Sequence, residues 1–289
     1  MAPDSTASPV APVTYLVTGA TSGVGEATAR SLGAAGATVL LAGRNTAAGE
    51  RIASEIGPNA SMHRLDLADL DSVHEFSRTL GDRTIDVLVN NAGVMALPLT
   101  RTRDGFEMQF GTNHLGHFAL TGLLLDRITT RVVTVSSAAY LLGRLDLDDL
   151  NWEYRRYSRA GAYAQSKLAN LVFSLELERR LAAARSRLRA IAVHPGYAAT
   201  EVGSNTGTWF DGLFGFGKKI LQRTSAQGAE SVVYAATEPT MAGGLIGPHM
   251  LLYGSPHQAR IAQRARDRDV ARRLWELSEK YTAVTFSPQ

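Results

Sequence analysis

Along this chain, short apolar runs alternate with longer stretches in which apolar positions recur every three or four residues. The runs Val13–Thr18, Ala37–Ala42, Ser61–Leu65, Ile85–Val89, Arg131–Val135 and Arg189–Val193 read as strands, and a seventh lies within 245–253 despite Pro248. Between them, helical periodicity opens at Glu26, spans about Asp69 to Leu80 and begins again near Ala160. A long segment from Gly105 to Ile128 follows the fourth strand, further helices are predicted over Ala226–Thr237 and from about Gln258 to Tyr281, and no internal repeat or linker breaks the series. Strands and helices alternating at this pace predict an α/β fold, a seven-stranded, mostly parallel, doubly wound sheet flanked by helices. Ligands of such sheets bind at the C-terminal ends of the strands.

Composition narrows the class. At 289 residues, 45% hydrophobic and 20% charged, the chain can bury the core of one large soluble domain. The net charge is +3, but Lys and Arg are scattered, whereas a nucleic-acid face wants a dense basic stripe, so that partner is excluded. The Arg-rich run 260–273 is interleaved with Asp267 and Asp269 and reads as the solvated side of a helix. With no cysteine, disulfides, thiolate metal sites and thiol nucleophiles are excluded. Residues 1–12 are rich in Pro, Ala and Ser and read as a disordered tail rather than a signal peptide. No apolar run reaches the ~18 residues of a membrane span, and a cytoplasmic protein is the expectation.

The strand ends carry the chemistry. The first runs at once into Gly19-Ala20-Thr21-Ser22-Gly23-Val24-Gly25 and then a helix. In that setting Gly19 permits a tight turn, Gly23 lets backbone approach a pyrophosphate and Gly25 allows close helix–strand packing, with phosphate on the helix's unpaired N–H groups. A glycine loop alone also fits an ordinary turn; the strand–loop–helix context points to a dinucleotide and a Rossmann fold. At the end of the second strand, where NAD-binding units place a carboxylate, the chain has Gly43 and then Arg44. A guanidinium without a nearby acid suits a 2′-phosphate, so NADP(H) is favoured, the alternative being an exposed Arg at a strand end. The third strand ends at Asp66-Leu67 and the fourth in Asn90-Asn91-Ala92-Gly93, where the sheet would meet the cofactor. His114 and His117 read as packing or surface groups, since no acidic or thiol partner stands near them in sequence, and no metal site is expected.

Tyr163 and Lys167 stand four apart on the helix that begins near Ala160, so phenol and ammonium share a face. A nearby cation lowers a phenol pKa from about 10, which makes Tyr163 a candidate general acid/base. The same spacing also fits an amphipathic helix with a half-buried Tyr and a solvated Lys. Between Ser137 and Tyr163 lies a polar insertion, 140–159. The glycine-spaced aromatics of 198–222 suggest a lid over an apolar pocket, or equally a packed loop or subunit contact.

Thr18-Gly19-x-x-x-Gly23-x-Gly25, Asn90-Asn91-Ala92-Gly93, Asn113, Ser137, Tyr163-x-x-x-Lys167 and Pro195-Gly196 occur in this order. The chain thereby resembles the short-chain dehydrogenase/reductases over about 13–253. Asn113-His114-Leu115-Gly116-His117-Phe118, the insertion and Tyr163-Ala164-Gln165-Ser166-Lys167-Leu168-Ala169-Asn170 look like the retinol dehydrogenase branch; protochlorophyllide reductases are more distantly similar. Animal retinol dehydrogenases commonly begin with a membrane helix, and none is expected from the residues of this sequence. The resemblance implies that Tyr163 passes a proton to a carbonyl oxygen while NADPH delivers hydride, and that Lys167 holds the nicotinamide ribose and depresses the Tyr163 pKa. It implies that Ser137, rather than Ser136, binds the substrate oxygen and that Asn113 anchors a water. In the cofactor site it places Gly19, Thr21, Ser22, Gly23, Val24 and Gly25 at the phosphates and Arg44 at the 2′-phosphate. Asp66 and Leu67 fall at the adenine, Asn91, Ala92 and Gly93 at the ribose, and Pro195, Gly196 and Thr200 at the nicotinamide. Helices 105–128 and 161–184 often pair between subunits in this family, implying a homodimer or homotetramer. The expected activity is reduction or oxidation of a fairly large apolar ketone, aldehyde or alcohol. The alternatives are an NADP(H)-binding regulator or scaffold without turnover and, disfavoured by the glycine spacing, a sugar-nucleotide epimerase.

Overall fold

Strand alternation sorts the apolar side chains onto two faces of one sheet. A computed structural model describes residues 12–196, 218–239, 243–250 and 254–286. Strands β1 (Thr14–Thr18), β2 (Thr38–Gly43), β3 (Ala60–Arg64), β4 (Ile85–Asn90), β5 (Ile128–Val135), β6 (Arg189–Val193), β7 (Gly244–Pro248) and β8 (Pro256–Gln258) are ordered β3-β2-β1-β4-β5-β6-β7-β8. Every pairing is parallel except β7–β8. Because successive residues of a strand point to opposite faces, Tyr15, Val17, Val87, Val89 and Val133 pack with α1 (Gly23–Ala34), α2 (Thr46–Ile56) and α7 (Lys218–Thr237). Leu16, Leu40, Leu88 and Val132 face α3 (Leu70–Thr79), α5 (Gly116–Leu124), α6 (Arg159–Ala183) and α8 (Arg268–Thr282).

The strand order turns back between β1 and β4, so their C-terminal ends diverge and open a crevice. α1 leaves β1 on one side of that point, and α6 brings Tyr163 and Lys167 to the other.

The fold departs from the expected one in several places, α2 itself filling a stretch where no helix is predicted. An eighth strand joins the sheet edge antiparallel, in register Gly247↔His257; at three residues, opening on Pro256, it shows no alternation to recognise. The last helix consequently starts at Arg268 and not near Gln258, where Asp267 Oδ1 accepts from Asp269 N at 3.0 Å and Val270 N at 3.1 Å. The helix expected from Ala226 begins earlier, at Lys218. The segment 105–128 is not one regular helix: α4 (Met108–Phe110) passes into a π-helical turn over Gly111–Leu115 before α5. Most of the expected lid (197–217) and residues 1–11 of the tail lie outside the described residues. Among the described residues no helix is long and apolar enough to cross a membrane.

α8 lies across α5 and α6. Its Trp275 stacks on Phe173 (ring centres 5.7 Å) and meets Phe118 edge-on at 5.2 Å, Phe286 packs on all three, and the Arg180 guanidinium sits 4.1 Å from the Trp275 ring. The helices expected to pair between subunits therefore already carry a cover, on this face, from their own chain. Replacing a buried tryptophan with Ala leaves a cavity that such a cluster refills only in part. Trp275→Ala is expected to lower the unfolding free energy by about 3–5 kcal/mol, read from the shift of a urea unfolding midpoint.

Candidate active site

The site begins where β1 ends. Gly19 adopts φ +65°, and a Cβ there would lie 2.8 Å from the Ala92 Cα; at Gly25 a Cβ would lie 2.3 Å from both Asn91 Nδ2 and the Gly19 carbonyl. The glycine turn and the Asn90–Gly93 turn thus approach more closely than side chains allow. α2, α3, α6 and α8 each start at a side chain that accepts from backbone N–H groups, whereas Ser22 at the start of α1 makes no such bond. The first N–H groups of α1 are left without a side-chain cap beside a surface cleared of Cβ atoms, which fits a dinucleotide pyrophosphate.

Thr18 joins the two turns. Its Oγ1 accepts from Asn91 N at 2.9 Å and Ala92 N at 3.0 Å, while Asn91 Nδ2 donates to the Thr18 carbonyl at 2.8 Å. The same hydroxyl lies 2.9 Å from His117 Nε2, and His117 Nδ1 lies 2.9 Å from the Asn113 carbonyl. A carbonyl can only accept, so Nδ1 carries the hydrogen and the Thr18 hydroxyl donates to Nε2. Burial pushes the His117 pKa down to about 4, which keeps that ring neutral.

The π-helical turn holds Asn113 with its amide fully engaged. Nδ2 donates to the Val94 carbonyl and to Ser166 Oγ, both at 2.9 Å, and Oδ1 accepts from Val94 N at 2.8 Å. With both donor hydrogens used, Asn113 offers a water only acceptor capacity, on Oδ1 and on the carbonyl that His117 also meets.

Tyr163 and Lys167 project from the buried side of α6, whose first turn is capped by Ser158 Oγ accepting from Gly161 N at 3.1 Å. Lys167 is only 4% exposed, so the solvated-lysine reading fails. Its Nζ donates to the Val135 carbonyl at 3.1 Å and lies 5.8 Å from the Tyr163 ring centre. A Cβ on Gly93 would come within 3.3 Å of that Nζ, so glycine leaves room beside the ammonium. Of the two serines, Ser137 hydrogen-bonds the Tyr163 phenol, while Ser136 Oγ donates to the Lys167 carbonyl at 2.7 Å. Burial pushes the Tyr163 pKa up and the Ser137 bond pulls it partly back. Nζ is turned to the Val135 carbonyl, and burial pulls the Lys167 pKa down to about 8.

Residues 13–211 match the short chain dehydrogenase family model. The chain belongs to the short chain dehydrogenase family. It is similar to human retinol dehydrogenase 13, 40% identical over 286 residues that cover 94% of this chain and 85% of that one. Mouse retinol dehydrogenase 14 is 38% identical, covering 94% and 86%. A crystal structure of an uncharacterized protein from Mycobacterium paratuberculosis is 46% identical, covers 96% of each chain and has a TM-score of 0.85. The chain is accordingly a short chain dehydrogenase, an oxidoreductase of CH–OH and C=O groups that works with NAD(H) or NADP(H).

The remaining candidate residues of this short chain dehydrogenase fall around the crevice with varying freedom. Arg44 is exposed just past β2 and, among the described residues, has no ion-pair partner. Thr21 lies against Gly43, a Cβ there meeting its Cγ2 at 3.4 Å, which sets the glycine turn beside Arg44. Arg64, which the sequence did not single out, sits in register with Gly43 and adds a second guanidinium on the next strand. Asp66 Oδ1 accepts from Ala68 N at 3.0 Å. Leu67 and Val24 bury their side chains in the core, so only their backbones face the crevice. Pro195 and Gly196 follow β6; Thr200 lies outside the described residues. Among the described residues no His, Asp or Glu cluster is arranged for a metal, and His114 and His117 are both buried.

The buried ammonium has a thermodynamic signature. Folding lowers the Lys167 pKa from 10.5 to about 8, so between these values the unfolded chain binds more protons and stability rises with pH. Below that window the full cost of the buried charge, on the order of 3 kcal/mol, remains. Urea unfolding of the cofactor-free protein at pH 7, 8.5 and 10 should show this rise, and Lys167→Met should abolish it while raising stability at pH 7.

Proposed function

We propose that this chain is an NADPH-dependent carbonyl reductase or alcohol dehydrogenase acting on a fairly large apolar ketone, aldehyde or alcohol. The observation that carries the reading is the Tyr163 phenol, hydrogen-bonded to Ser137 on the helix face that also presents buried Lys167. A bound reduced nicotinamide supplies the hydride. Ser137 and Tyr163 together hold the substrate oxygen, and Tyr163 gives it the proton as it becomes a hydroxyl, the reverse step taking that proton back. Lys167 Nζ, beside the open space at Gly93, is the group suited to the nicotinamide ribose hydroxyls. Water is the source that restores the proton, held by the acceptor oxygens of Asn113.

Arg44 supports NADP(H), since it is exposed at the end of β2 with no neighbouring carboxylate standing in for a ribose ligand. Arg64 on β3 strengthens the positive potential there. The similarity to proteins named retinol dehydrogenases supports an apolar, retinoid-like alcohol or aldehyde as the substrate class.

Two variants test the reading. With NADPH and a panel of lipophilic carbonyls, Tyr163→Phe should lower kcat by about 100- to 10,000-fold while NADPH binding survives. NADPH bound but never consumed by the wild type, across the panel, would favour the scaffold reading instead. Arg44→Ala should weaken NADPH binding by roughly tenfold and leave NADH nearly unchanged, a loss of 1–2 kcal/mol for one charge-assisted contact. An equal loss for both dinucleotides removes the 2′-phosphate assignment.

A further inference from the structure

One helical turn before Asn113 stands Gln109, fully buried and used in the same way. Its Oε1 accepts from Ala96 N at 2.8 Å, and its Nε2 donates to the Arg159 carbonyl and to the Tyr157 hydroxyl, both at 3.0 Å. Asn113 repeats the pattern, accepting from Val94 N and donating to Ser166 Oγ of α6. Two amide side chains four residues apart thus stitch residues 94–96 to the first and second turns of α6, on either side of Tyr163. Gln109 is also the residue that meets the strained point, because Ala96 is held at φ +55°, a left-handed conformation that a non-glycine residue keeps only when its surroundings impose it.

The stitched segment runs on from Gly93, the residue beside Lys167, and presents Val94, Met95, Ala96 and Leu97, all apolar and all only partly buried. Its far side is fixed by the insertion: the Tyr157 hydroxyl lies 2.9 Å from Glu107 Oε1 and 3.2 Å from the Leu97 carbonyl. Burial and Glu107 both push the Tyr157 pKa up, so the hydroxyl keeps its proton and donates. Glu107 is itself fully buried, accepting from Gln109 N at 3.0 Å and Phe110 N at 2.7 Å. The polar insertion 140–159 thereby has a definite task, anchoring one side of a wall that starts at the reacting groups.

We propose that Gln109 is a positioning residue that fixes segment 94–97 as the apolar wall of the substrate space, and so sets the preference for large apolar carbonyls over small ones. This inference rests on the oxidoreductase reading for its substrate, but not for its geometry. Gln109 touches no reacting atom; it acts through the backbone of Ala96.

The test uses the full chain and Gln109→Met, which keeps length and volume but neither accepts nor donates these bonds. Hydrogen exchange should speed up at residues 94–97 and stay unchanged at Asn90–Gly93, with NADPH affinity unaltered. KM for a long-chain apolar aldehyde should rise roughly tenfold or more, while KM for a small aldehyde and kcat change little. Unchanged exchange at 94–97 overturns the proposal, as does an equal KM change for both aldehydes. A wild type without turnover sinks the oxidoreductase reading alone, and the exchange result then decides this one. Should Gln109→Met fail to fold, Tyr157→Phe removes one anchor and leaves Gln109 on Ala96; it must move both readouts the same way, by less, or the wall is not set by this cluster.

Discussion

Where two parallel strands part at the crevice, backbone groups lose the neighbours that would have paired them, and something must replace those bonds. In this protein the Thr18 hydroxyl does so. It takes the N–H groups of Asn91 and Ala92 and gives its own hydrogen to His117, which in turn meets the carbonyl of Asn113. One hydroxyl thus connects the glycine turn after β1, the Asn-rich turn after β4 and the π-helical turn. A buried hydrogen bond of this kind contributes only about 1 kcal/mol net, yet leaving its partners unpaired costs more, so the three turns hold one relative position.

Burial acts on Tyr163 and Lys167 in the same sense. It raises the Tyr163 pKa and lowers that of Lys167, so each group is biased towards its neutral form within the chain alone. The Ser137 side chain works against this at the phenol.

The sequence made local features legible and remote ones obscure. Apolar runs placed β1 to β7 closely, and the strand–glycine–helix pattern placed the crevice, because strand and turn preferences act within a few residues. Tyr163 and Lys167 could be set on one face from their spacing alone. Whether Lys167 was solvated or buried could not, since that depends on what α6 packs against. His117 reads from the sequence as a packing or surface group; it is buried, and both ring nitrogens are committed to partners 4 and 99 residues away, the second without a local signature. Gln109 and Arg64 passed unnoticed for the same reason: their importance comes from what strand order and helix crossing bring beside them. The π-helical turn was hidden because periodicity cannot separate a wide turn from a regular one.

The aromatic cluster around Trp275 gives synthesis of this chain a particular order. Phe118 and Phe173 precede Trp275 and Phe286 along the polypeptide. A nascent chain emerging from the ribosome can therefore assemble its sheet and the dinucleotide crevice while a greasy seam on α5 and α6 still faces solvent. That seam closes only once Trp275 and Phe286 have followed, and until then it offers a chaperone, or another nascent copy, a surface to grasp.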